Sequence, residues 1–214
     1  MTHTAPPTNR IARRFGFALV LAALVAAMVV PASGSAARVK FGAEVNPTVQ
    51  PSNGSPGIQC MSDFCTFVQD DAYGRPDGGM IAPKTGTIKT IKFIAADIGR
   101  FRPQVVTVRH SASTTLGATK AKVTYTGPLV LFHGQTEGNY KPGRYTVERA
   151  HVNIPIEKGQ QLALRGDVAS MVRCSSGGHN TLVFGPALGQ RGPFQGATDA
   201  SGCWLLMEAE IRYP

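Results

Sequence analysis

The sequence predicts an all-β protein, a two-sheet antiparallel β-sandwich that is jelly-roll-like in its expected strand number. Three observations carry that prediction. After Pro31 no stretch keeps apolar residues at spacings of three and four over several turns, whereas alternation with a period of two recurs. The 24 glycines and 15 prolines make up nearly a fifth of the chain, above the usual level of about an eighth, and they punctuate short apolar runs. Charged residues are only 16% against 43% hydrophobic ones, a balance that excludes a charged coiled coil or general disorder. No internal repeat is visible, so neither a propeller nor a β-helix is expected.

The first element is not part of the sandwich. Arg10, Arg13 and Arg14 form a positive segment with no acidic residue before Glu44, and Phe15 to Val30 then gives sixteen residues rich in Ala, Leu and Val. Pro31 ends that run, and the small residues from Ala32 to Ala37 suit a signal peptidase. The apolar run falls short of the roughly 20 residues a spanning helix needs. Residues 1–36 are therefore expected to be a signal peptide, cut after Ala36 or alternatively after Ala37, by the general secretory or the twin-arginine route. No cysteine near the cut supports a lipid anchor, and no second apolar span follows, so the mature chain is expected without a transmembrane anchor, secreted or associated with the cell surface. Residues 37–57, with Pro47, Pro51, Pro56 and Asn53-Gly54, read as an extended leader, and 58–214 as a single β-sandwich domain.

Within that domain the expected strands are Cys65–Gln69, Gly86–Ala96, Gln104–His110, Lys122–Thr126, Leu129–Phe132, Arg144–Ala150, His151–Ile156, Gln161–Leu164, Val168–Cys174 and Thr181–Phe184. A last strand is expected from Cys203 to Tyr213, where Leu205, Met207, Ala209 and Ile211 alternate with Glu208, Glu210 and Arg212. Pro155 places its segment at a sheet edge or strand end, because it lacks an N–H for the ladder. The phrase Ser175 to Asn180 reads as a mobile loop after Cys174.

The four cysteines, Cys60, Cys65, Cys174 and Cys203, are an even number in a chain read as exported, which points to two disulfides. Sequence alone allows three pairings; the local pair Cys60–Cys65 with Cys174–Cys203 is the one expected. Metal ligation is not expected of these cysteines, since no Cys-x-x-Cys occurs.

The punctuation of the strands resembles a broad group of uncharacterised exported β-sandwich proteins, abundant in actinobacteria. The resemblance rests on CTFVQ at 65–69, APKTGTIKTIKF at 82–93, VNIPIEKGQQLAL at 152–164 and the terminal LLMEAEIRYP, and it covers most of 58–214. Members often have Trp where this chain has Phe93. The resemblance implies a sandwich and a secreted home; it implies no activity and no site residues.

No chemistry stands out. His110, His133, His151 and His179 are far apart in sequence, without His-x-x-x-His or His-Glu-x-x-His, and Gly-x-Ser-x-Gly is absent. Asp70, Asp71 and Asp77 lack calcium-loop spacing, and they read as solvated turn residues. Glu208 and Glu210 share a strand face, as a glycosidase pair or an ordinary exposed face would. Tyr140 and Tyr145 flank a Lys-Pro-Gly-Arg turn and could stack on a ligand or pack the turn. No catalytic residue, metal ligand or cofactor is expected.

Removing Arg10, Arg13 and Arg14 takes the formal net charge from +9 to +6. The nearest approach to a basic patch is Lys89, Lys92, Arg100 and Arg102, followed by Lys120, Lys122, Lys141 and Arg144; a solvated surface is the ordinary reading, and no nucleic-acid motif accompanies them. The function expected is therefore a non-catalytic one, interaction or structure at the cell surface or outside the cell. Binding of carbohydrate or of an anionic cell-wall polymer is the first alternative, and secreted hydrolysis the second. The partners expected are cell-wall polysaccharide or another surface protein.

Overall fold

Alternating side chains, interrupted by turn residues, build strands throughout a computed structural model of the chain. Residues 36–45, 60, 62–70, 80–95, 98–111, 115–134, 145–166 and 174–214 are described, those at 70, 174–180 and 202–204 by their backbone alone. In chain order the strands are β1 (Ala37–Gly42), β2 (Cys65–Asp70), β3 (Gly86–Phe93), β4 (Gly99–Arg109), β5 (Lys120–Thr126) and β6 (Val130–Phe132). They continue with β7 (Glu148–Ile156), β8 (Gln161–Gly166), β9 (Cys174–Phe184), β10 (Gln195–Gly196), β11 (Asp199–Leu205) and β12 (Met207–Tyr213). No helix occurs among the described residues.

The strands form two antiparallel sheets, the predicted sandwich. The smaller has the order β1-β12-β3-β7; the larger runs β10-β5-β4-β8-β2-β9-β11, with β6 also paired to β4. The chain changes sheet repeatedly, at β1 to β2, β2 to β3, β3 to β4, β6 to β7, β7 to β8 and β11 to β12, as Greek-key sandwiches do. Ala36–Pro214 makes one compact unit.

The inner faces meet in a core of Phe67, Ile88, Ile91, Phe93, Phe101, Val105, Ile154, Leu162, Leu164, Val183, Met207, Ala209 and Ile211. Phe93 from the smaller sheet meets Phe101 and Phe132 from the larger edge to face, with ring centres 5.1 and 5.7 Å apart. The larger sheet also buries part of its outer face. Val68, Val106, Ala121, Val123, Ala163, Leu182 and Phe184 lie there under Leu188 and Ala197. The segment carrying Leu188 is pinned by a buried polar network: the Leu188 N–H donates to Thr66 Oγ1 at 2.9 Å, Thr66 donates to Gln104 Oε1 at 2.8 Å, and Gln104 Nε2 donates to the Leu188 carbonyl at 3.1 Å. Every polar atom of that trio that needs a partner in the dry layer has one, as burial demands.

Several expectations change at this point. The leader expected at 37–57 begins as a strand: β1 pairs with β12 along its whole length, so the smaller sheet starts at Ala37 and not near 58. Val39 and Phe41 alternate with Arg38 and Lys40, and Phe41 is buried in the core. Gly42 ends the strand at a φ of 101°, and a Cβ there would stand 2.5 Å from the Met207 carbonyl. Arg144–Ala150 and His151–Ile156 are not two strands; Glu148–Ile156 is one, because β3 pairs with it from Phe93 back to Gly86. Gln104–His110 is the second part of a longer strand, β4. Its Pro103 falls where β6 has ended and β5 has not begun, so its missing N–H costs no ladder bond, and its carbonyl accepts from Gly127 N at 2.7 Å. The long terminal strand expected from Cys203 to Tyr213 is two strands in different sheets. Leu205, Leu206 and Met207 are all buried, which one strand with a wet face would forbid, and the crossing at Leu206 explains it. The loop expected at Ser175–Asn180 is also strand, held by β11, with Asn180 opposite Asp70 of β2. Of Val168–Cys174, residues 168–173 lie outside the described residues. Pro155 sits in β7, an edge strand, as its chemistry requires.

Candidate functional site

The outer face of the larger sheet is covered at Gln104 and Val106 but open further along β4. Arg100 and Arg102 point to that open face, since Phe101 and Pro103 between them point inward. β8 alternates the same way, with Leu162 and Leu164 inward and Ala163 and Arg165 outward. The β4–β8 register sets Arg102 directly opposite Arg165. These three arginines, with Phe64, Phe101 and Leu129, line an open cleft of roughly 220 Å3.

The arginines are lightly engaged. Arg102 Nη1 donates to the Gly127 carbonyl at 3.3 Å, and the Arg165 guanidinium lies 5.9 Å from the centre of the Phe64 ring. Among the described residues no carboxylate forms an ion pair with any of the three. Strand geometry puts Arg100 and Arg102 about 7 Å apart along β4, and opposed residues such as Arg102 and Arg165 about 5 Å apart at Cβ. Three guanidiniums gathered so closely without a counter-charge among the described residues make a focus of positive potential, and planar guanidinium forks match carboxylate and phosphate oxygens.

The basic stretch read from sequence divides between the sheets. Lys92 belongs to the smaller sheet, where Glu208 bridges it at 3.0 Å to Lys40 at 3.3 Å, and Glu210 pairs with Arg38 at 3.1 Å. Lys89 donates to Asn153 there. Glu208 and Glu210 do share a face, but each is neutralised by these cations, and the arrangement is a charge ladder. The Glu208 carboxylate, by hydrogen bond and by attraction, holds Lys40 protonated above the ordinary lysine range. Lys122 lies over the Phe194 ring, which Arg109 covers more closely at 3.8 Å. Lys141 and Arg144 lie outside the described residues.

Among the described residues the histidines do not converge. His133 stands 3.8 Å from Glu148, whose carboxylate also accepts the backbone N–H groups of His133 and Gly134. His110 meets Gln161 at 3.4 Å, and His151 lies opposite Thr90 on the smaller sheet. No group of three or more His, Cys, Asp or Glu comes together among the described residues. The side chains of His179 and Asp70, and all of Asp71, Asp77 and Tyr140, lie outside the description. Tyr145 is a core residue, buried with Ala43, Val45, Ile94 and Leu206, so it offers no stacking face.

Cys60 and Cys65 form a disulfide that ties the start of β2 to the segment before it. For the other expected pair the backbone sets Cys174 opposite Leu205 and Cys203 opposite Ser176; their side chains lie outside the described residues.

Sequence reading missed Arg165, Phe64 and Leu129. The alternation Leu162-Ala163-Leu164-Arg165 shows that Arg165 leaves the core, yet only strand pairing shows that it meets Arg102. None of the family models, curated proteins or solved structures compared with this chain matches it.

Proposed function

We propose that the protein is an exported, non-catalytic interaction protein of the cell envelope, related to the exported actinobacterial sandwiches it resembles, and that it binds anionic envelope material. One observation carries the reading: Arg100, Arg102 and Arg165 share an open cleft with no carboxylate partner among the described residues. Folding alone gives no reason to gather like charges, whereas an anionic partner does. Of the functions expected from sequence, this favours the anionic polymer over neutral carbohydrate, since Tyr145 is buried and the carboxylates of β12 are committed to lysine and arginine. The arginine-rich N-terminal segment, and more weakly the Cys60–Cys65 disulfide, support an address outside the cytoplasm.

Co-sedimentation of the purified protein with insoluble envelope material tests the reading, at low salt and at about 0.5 M, where screening is strong. Binding at low salt that is lost at high salt is the expected result. Binding that survives salt and yields to soluble sugar would replace the reading with a carbohydrate module.

A further inference from the structure

The same open face carries a second feature that a bare polyanion does not require. Among the described residues six large apolar side chains are exposed; two of them, Phe64 and Leu129, line the cleft with the arginines, and two more, Leu131 and Ile98, belong to β6 and to the residue just before β4. Leu131 of β6 lies opposite Arg100 in the β4–β6 register, so the two share a face, and Ile98 is two residues before Arg100. Leu131 and Ile98 are also the most exposed of the set, at 72% and 66%, while Arg165 is half buried. Arg100 and Arg102 are exposed as well, so hydrocarbon and guanidinium groups stand side by side on this face.

That arrangement has a physical match. A protein–protein contact also enriches arginine and aromatic residues, but it gathers its apolar groups into a central core ringed by polar ones. At a lipid surface, by contrast, aliphatic and aromatic side chains reach past the headgroups towards the acyl chains, while arginines stop at the phosphates. The charge fits as well, since the chain after Ala36 carries a formal +6 and the three arginines lack a counter-charge among the described residues.

We propose that this face docks on an anionic lipid surface, Leu129, Leu131, Ile98 and Phe64 entering the headgroup layer and Arg100, Arg102 and Arg165 holding lipid phosphates. The proposal rests on the reading that the arginines meet anionic envelope material, and it names the form of that material.

The test is sedimentation of the purified protein with phosphatidylcholine vesicles and with vesicles containing about one-third phosphatidylglycerol, with soluble polyphosphate as a competitor. Leu131→Ser and Arg102→Gln are compared with Leu116→Ser, which changes an exposed leucine in a turn elsewhere. Binding is expected to anionic vesicles and not to neutral ones. Leu131→Ser should lower partitioning by about tenfold and Arg102→Gln by about fivefold, with Leu116→Ser unchanged. If Leu131→Ser binds anionic vesicles as the unaltered protein does and polyphosphate displaces both fully, the lipid proposal is overturned while the anion reading stands. Equal binding to neutral vesicles also overturns it. Binding to neither vesicles nor polyphosphate overturns both readings.

Discussion

Arg102 and Arg165 face each other across the β4–β8 pairing, and their coupling is open to direct measurement. Two unit charges about 6 Å apart repel by about 0.7 kcal/mol in a water-like dielectric. A Debye length of about 8 Å at physiological salt halves that, roughly. Single substitutions would blur the effect, because Arg102→Gln also loses the hydrogen bond to Gly127 and Arg165→Gln the contact with Phe64. A double-mutant cycle removes those losses and leaves the pair. Urea denaturation followed by circular dichroism, on the unaltered protein, both single variants and the double variant, should give a repulsive coupling of about 0.3–0.7 kcal/mol at low salt. At about 0.5 M salt, where the Debye length is about 4 Å, the coupling should fall to about 0.2 kcal/mol. An attractive coupling, or none at low salt, would mean that a carboxylate from elsewhere in the chain sits between the two guanidiniums. The claim of an uncompensated cleft would then be wrong.

Other consequences concern the scaffold. Phe93→Ala removes the ring that joins both sheets at Phe101 and Phe132, and it should cost about 3–5 kcal/mol in urea denaturation; a loss under about 1 kcal/mol would show that the rings are not a shared core. Gln104→Leu leaves the Thr66 hydroxyl and the Leu188 carbonyl short of partners, and about 1–3 kcal/mol should be lost, together with amide-exchange protection at Leu188. Lys40 has its proton held more tightly in the folded state than in the unfolded one, so its pairing with Glu208 stabilises fully below the unfolded-state value and is lost as pH rises through the folded one. The destabilisation by Lys40→Gln should accordingly shrink between neutral pH and strong alkali, read from denaturation midpoints; a constant difference would show that the ion pair contributes nothing.

How much of this was legible in the sequence depended on whether a feature was local. Strand identity was readable where one face is wet, as in β3, β5 and β12, because period-two alternation is a property of a single segment. It failed where both faces are dry or where the chain changes sheet. Leu205-Leu206-Met207 breaks the alternation at the crossing between β11 and β12, and a segment scanned alone cannot distinguish a crossing from a fully buried strand. Ser175–Asn180 reads as a loop by composition, yet pairing with β11 and β2 makes it strand, an instance of tertiary context overriding propensity. The Val39/Phe41 alternation of β1 was visible and was outweighed by the prolines that follow it. For the cleft, Arg100 and Arg102 were visible as a basic pair, but the grouping with Lys89 and Lys92 followed sequence proximity. Register carries Lys92 to Glu208 and brings Arg165, distant by more than sixty residues, to Arg102.

The central proposal is that position, and not net charge, would make this protein a binder of anionic material. Two variants with equal charge decide it: Arg100→Gln, Arg102→Gln and Arg165→Gln together, against Lys84→Gln, Lys120→Gln and Lys158→Gln together, three exposed lysines outside the cleft. Retention of each on immobilised polyphosphate is measured at low salt beside the unaltered protein. The account predicts that the arginine variant loses retention while the lysine variant keeps most of it. Equal losses in the two would contradict it, leaving a diffuse positive charge in place of a site.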